Sequence, residues 1–127
     1  MTEHQAVFRV NNNNIKMAIK DNLLLSHSDS IIYCLSSTSH YSKIFLRNGR
    51  YILFEKRLKH IEEVLSQKQF IRVNASCLVN VKFIKNVKYA ENKGVYLVLE
   101  EGTELEVSGR KLQGLVQELA KKSISLN

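Results

Sequence analysis

Proline is absent from the 127 residues, so no segment has the Pro-rich stiffness of an interdomain linker. Cysteine is scarce. Cys34 and Cys77 are the only two, each lies in an apolar run, and neither has a second Cys or a His at metal-ligand spacing, which leaves both as expected buried thiols and not a zinc site or a disulfide. No apolar run approaches the ~18 residues that a membrane-crossing helix needs. The polar start MTEHQAVFRV has no apolar h-region, so neither a secretory leader nor membrane insertion is expected and the cytoplasm is the expected compartment. Catalytic signatures are also missing. There is no GxxxxGK[ST] loop, no HExxH and no GxSxG. His4, His27, His40 and His60 are scattered, and the pairs Glu62-Glu63 and Glu100-Glu101 read as solvated charge on a helix and at a turn. An enzyme is not expected, nor is a cofactor.

What the chain does have is core-forming composition and positive charge. Apolar residues make up 44% and charged residues 24%, the balance of a globular domain, and the length suits one core. Nineteen Lys and Arg against twelve Asp and Glu give a formal charge of +7, which favours polyanionic partners. Met1 to Asn14, ending in four asparagines, reads as an N-terminal extension or linker remnant, and residues 15–127 as the folded domain.

Beyond Asn14, β-rich runs recur about every eight to twelve residues between turn signals. Strands are expected near Ile15 to Ile19, Leu23 to Leu25, Ile31 to Leu35, Lys43 to Leu46, Arg50 to Phe54, Phe70 to Val73, Ile84 to Tyr89, Val95 to Leu99 and Glu104 to Val107. Asn48-Gly49 predicts a type I′ hairpin turn, because both residues tolerate positive φ, and Glu101-Gly102 predicts another turn. Leu58, Ile61, Val64 and Leu65 fall at helical spacing within Lys56 to Leu65. From Arg110 to Lys122, Leu112, Leu115, Val116 and Leu119 line one face of a closing helix, with Lys111, Gln113, Glu118, Lys121 and Lys122 outward. Phe45, Phe54, Phe70 and Phe83 fit the strand pattern as core, which counts against single-stranded RNA binding through exposed aromatics. Basic residues punctuate strand ends and loops. Lys43, Arg47, Arg50, Lys56, Arg57, Arg72, Lys82 and Lys85 are candidates for phosphate contact or for plain solvation.

The segment FIRVNASCLVNV, Phe70 to Val81, resembles the signature of the LytTR family: an aromatic, an Arg, a polar stretch with Ser, then Leu-Val-Asn. IIYCLSSTSHYSKIFLRNGR upstream resembles that family's strand, polar loop, strand and turn, and GTELEVSGRKLQGL downstream resembles its last hairpin, Ser-x-Arg junction and C-terminal helix. The likeness spans about Ile15 to Lys122. It implies a mainly β, elongated sandwich of small antiparallel sheets with a short internal helix and a C-terminal helix. It also implies a bacterial transcription regulator of the response-regulator and two-component kind, whose loops enter successive major grooves of double-stranded DNA at promoter repeats.

By motif, the family's base readers fall on His40, on the position before Ser76, and on Arg110. A guanidinium at Arg110 can donate two parallel hydrogen bonds to guanine O6 and N7. The middle position departs from the family, since Ala75 offers at most a methyl contact to thymine, and Asn74 is the neighbour expected to supply the missing hydrogen bond. Ser76, Ser108 and Lys111 join the expected phosphate contacts, with Ser108 also placed to cap the last helix and Asn80 read as locking a turn. A homodimer on direct repeats, a receiver domain or a regulatory partner protein are the further partners the resemblance implies. Both an excised output domain and a stand-alone regulator fit, and loss of base reading at Ala75 would instead leave a protein-interaction module.

Overall fold

In the computed structural model, which describes residues 21–121 apart from Ser39, eight strands form two antiparallel sheets. Strands β1 (Ile31–Ser36), β2 (Ser42–Leu46), β3 (Tyr51–Phe54), β4 (Phe70–Asn74) and β5 (Cys77–Asn80) make a sheet of order β3-β2-β1-β5-β4. Strands β6 (Ile84–Tyr89), β7 (Val95–Leu99) and β8 (Glu104–Glu106) make a meander. Helix α1 (Leu58–Val64) covers one face of the larger sheet, and α2 (Gly109–Lys121) follows the meander. The fold class expected from the sequence is the one observed.

Two hydrophobic cores lie on the two faces of the five-stranded sheet. On the α1 side Leu24, Ile31, Cys34, Ile44, Phe54, Leu58, Ile61, Leu65, Phe70 and Leu78 pack together. On the other side Val73, Cys77, Val79 and Ile32 pack against the meander and against Leu115 and Leu119 of α2. Strict alternation would send Ile31 to the face of Tyr33 and Leu35. A bulge prevents this: Ile31 pairs Leu46 but Tyr33 pairs Phe45, so Ile32 is the extra residue and Ile31 turns to the α1 core. A second bulge at Val73, between the pairs Arg72↔Leu78 and Asn74↔Cys77, acts likewise on β4.

Several expectations are corrected. Residues 21–26 are helical, not a strand at Leu23 to Leu25: leucine is a good helix former, the backbone closes a helical bond from His27 N to Leu23 O (3.0 Å), and only Leu24 of the three is buried. The expected strand at Ile15 to Ile19 lies outside the described residues. Strand β5 was not expected, because CLVN is short and buried throughout, giving no alternation. Phe54, Phe70 and Phe83 are core residues, but Phe45 is only half-buried, stacked on Tyr33 with centroids 4.5 Å apart.

The hairpin at Asn48-Gly49 forms, but as a three-residue loop. Gly49 N bonds Leu46 O, Leu46 N bonds Arg50 O, and Gly49 has φ 85° while Asn48 is not in the positive-φ region. That is a type I turn followed by a left-handed residue, not type I′. Gly102 (φ 103°) closes the β7–β8 turn by the same bonds between Leu99 and Thr103. The β6–β7 turn repeats it with Lys93 at φ 68° in the glycine place.

Asn80 locks the chain where β5 ends, as expected. Its fully buried side chain accepts from Lys82 N (3.0 Å) and donates to Ile31 O (2.8 Å). Cys34 and Cys77 are buried free thiols on neighbouring strands but opposite faces, so they cannot bridge. Burial raises both pKa values, that of Cys77 to about 12.

Two outcomes follow. Lys93→Gly should raise stability by roughly 0.5–1 kcal/mol, the left-handed strain of a side chain there being partly offset by the greater flexibility of glycine when unfolded. Chemical denaturation will measure it, and a loss of stability would contradict the strain. The folded protein should not react with a thiol reagent at neutral pH. Because the folded thiols hold their protons above the ordinary value of 9.0 while unfolded ones lose them, stability should decline as pH rises from about 9 towards 12.

Candidate nucleic-acid interface

Three loops reach the same end of the larger sheet. The β1–β2 loop (residues 37–41) and the β4–β5 turn (residues 75–76) are tied by Ser36 N donating to Ser76 O at 2.9 Å. The β8–α2 junction is tied to the same turn by Ser108 N donating to Val73 O (3.0 Å) and Asn74 Nδ2 donating to Glu106 O (2.6 Å). Antiparallel pairing and these bonds thus gather the segments that carry His40, Ala75 and Arg110, distant in sequence, into a row at one end of the sheet, with all three residues exposed.

Within that row the side chains differ in freedom. His40 and Arg110 are exposed, and Arg110 makes no ion pair with another described residue. Asn74 is committed at both ends of its amide: besides donating to Glu106, its Oδ1 accepts from Ser76 N at 2.7 Å. Ala75 sits exposed at the turn with Ser76 beside it. Arg72, expected at phosphate, instead spends its guanidinium inside the protein on Glu62 and on the carbonyls of Asn74 and Ala75. Glu62, expected as solvated charge, is therefore a half-buried ion-pair partner. Ser108 directly precedes α2, and its carbonyl accepts from Lys111 N at 3.0 Å.

The remaining cations divide into two groups. Lys56 and Arg57 follow β3 at the loop end, where Ser42 Oγ donates to Lys56 O at 2.8 Å. With His40, Lys59 and His60 they line an open cleft of about 510 Å³ that also contains Glu55 and Glu63. His60 Nε2 lies 2.9 Å from Asp21 Oδ1. Arg47 and Arg50 flank the opposite end of β2, roughly 16 Å away by the length of the strand. Lys82 shares that far end: it and Arg47 lie over the Phe83 ring at 5.7 and 5.6 Å, and Lys85 follows on β6. Lys43 leans along the sheet over Tyr51 at 5.1 Å. Among the described residues no cluster of His, Cys, Asp and Glu could hold a metal ion, and no helix is long and apolar enough to cross a membrane.

Loops projecting from a rigid β scaffold, with cations at the same end, define a β-scaffolded nucleic-acid-binding domain. The family model for the LytTr DNA-binding domain matches residues 21–120, and the chain belongs to that family. The fold is similar to that of a LytTr DNA-binding domain from a Bacillus cereus protein described as a methyl-accepting/DNA response regulator. The TM-score is 0.63 at 21% identity, covering 72% of this chain and 82% of that one. No curated protein sequence matches.

Lys59 and His60 were not singled out from the sequence. On a short amphipathic helix they look like ordinary solvated positions, and only the return of β3 alongside β2 sets them beside His40. The division of cations carries an expectation for DNA titrated over a range of salt. Replacing Lys56 and Lys59 together by Ala should make the log-log salt slope less steep by about two, while Arg47→Ala with Lys82→Ala should leave it nearly unchanged. The reverse ranking would move the DNA to the other end of the sheet.

Proposed function

We propose that this domain reads specific double-stranded DNA in transcription control by laying its row of loops along the duplex, with Arg110 and His40 on base edges in successive major grooves and the 75–76 turn between them. The observation that carries this reading is the set of three hydrogen bonds joining Ser36 to Ser76, Ser108 to Val73 and Asn74 to Glu106, which makes three loops one rigid surface. Preorganised loops spend little entropy on docking, so their side chains discriminate between bases instead of merely adhering.

Arg110 holds the main base contact through a bidentate bond to guanine. Ala75 contributes its methyl and Ser76 its hydroxyl, while Asn74 acts as a brace because its amide is already used. Lys56, Arg57, Lys59, Ser108 and Lys111 supply phosphate contacts that fix the register. The domain works in the cytoplasm, paired with a second copy on direct repeats and governed by a receiver domain or a regulatory partner. A protein-interaction role is the second reading, favoured by Ala75 and by Tyr51 and Leu53, large apolar side chains about half exposed on the edge strand β3.

Titration against a duplex enriched from a random pool by the unaltered protein tests the proposal. The salt slope should be roughly −4 to −5 for four to six phosphate contacts. Arg110→Ala should cost about 1–3 kcal/mol on that duplex and relax preference at one base position, and Arg110→Lys should recover only part. Equal weakening on every duplex would make Arg110 a phosphate contact. A folded protein that enriches no duplex would select the protein-interaction reading.

A further inference from the structure

The guanidinium of Arg72 bonds three acceptors at once: Glu62 Oε1 at 2.6 Å, Asn74 O at 3.1 Å and Ala75 O at 2.8 Å. Two of these are the successive carbonyls of the turn at the centre of the row, and the third belongs to α1, packed on the sheet face away from the meander. Plain alternation from Phe70 sets Arg72 on the α1 face, and the bulge at Val73 turns Asn74 off that face towards β8. The turn is thereby held from both sides, by Arg72 through its carbonyls and by Asn74 through Glu106 O and Ser76 N.

We propose that Arg72 is a specificity-positioning residue, which with Glu62 fixes the backbone of the Ala75-Ser76 turn against DNA without itself touching DNA. This rests on the DNA-reading function proposed above. Ala75 has no side chain able to search for a hydrogen bond, so whatever it and Ser76 contribute depends on where their backbone is held. A methyl contact is lost within a displacement of about an ångström, because dispersion falls steeply with distance. The planar fork of Arg reaches three acceptors in fixed directions, which a Lys ammonium on a flexible stem does not reproduce. Arg72→Lys keeps a positive charge beside Glu62, so the attraction for phosphates changes little.

The test uses the full chain and the duplex enriched by the unaltered protein, with single-base variants of that duplex and an unrelated one. Arg72→Lys should lower affinity for the enriched duplex about tenfold, with discrimination lost at the one or two positions under the middle loop. Discrimination at the positions lost in Arg110→Ala should survive, and the salt slope should stay unchanged. Glu62→Gln, which keeps an acceptor, should show the same pattern more weakly. Uniform weakening on all duplexes with base preference intact would make Arg72 a phosphate contact and overturn the proposal. Unchanged base preference in a variant that only melts earlier would overturn it too, leaving Arg72 a stabilising residue. Should Arg72→Lys not fold, nitrogen-15 spectra of the unaltered protein decide: the clamp predicts an Arg72 Nε–H protected from exchange with water, free and DNA-bound alike, and rapid exchange in either state rejects it. If the unaltered protein enriches no duplex, the functional reading fails first and the positioning role with it, whereas every other negative outcome removes only the role of Arg72.

Discussion

Strand β5 is four residues long, and every one of them is buried. It lies between β1 and β4, with Leu78 in the α1 core and Cys77 and Val79 in the core beneath the meander. A strand covered on both faces requires a second layer on each side. That requirement sets α1 on one face and the meander with α2 on the other. In the strands that flank it, the bulge at Ile32 turns Ile31 to the α1 core, and the bulge at Val73 turns Asn74 off the α1 face. Asn80 ends the strand without leaving a buried polar group unsatisfied, at a position where an unmade hydrogen bond would cost about 1–3 kcal/mol.

The proposed binding surface is a by-product of the same constraint. Because β1, β2, β4 and β5 are antiparallel neighbours, their connections on one side emerge together, and the chain leaving β8 is pulled to the same place by Ser108. Exposed side chains are then carried by backbone that the cores have already ordered. The division of labour within the middle turn follows: Arg72 and Asn74 face inward and build, while Ala75 and Ser76 face outward.

Much of this could be read from the sequence, and the failures have identifiable causes. β-rich runs bounded by turn signals, such as Lys43 to Leu46 and Val95 to Leu99, announce strands, and Asn48-Gly49 announces its hairpin. The type of that turn was missed because a dipeptide rule does not show that the preceding residue, Arg47, belongs to the loop. Leu23 to Leu25 misled because three leucines fit either periodicity, and only the tertiary burial of Leu24 decides. Arg72 and Asn74 carry the polar chemistry of contact residues, yet whether a polar group points at a partner or at its own backbone depends on bulges, which leave no mark in composition. His40 and Arg110 were easier to place. His40 sits in a polar loop between two strands and Arg110 at the start of a helix with a clear apolar face, so that the strand pattern and the family resemblance together put both at the surface.

The turn at Ala75 is shaped by bonds that involve the carbonyl of that residue but not its side chain. Its Cβ therefore carries no architectural duty, and the position is open to exchange in a way that Arg72, Asn74 and Asn80 are not. Evolution or a designer could place a longer polar residue there and leave both cores and the two outer loops as they stand, which, if the turn meets a base as proposed, would revise the preferred sequence one letter at a time. On the proposed DNA reading, target choice and foldability would be inherited separately, and regulators built on this domain could diverge to new promoters without passing through unstable intermediates.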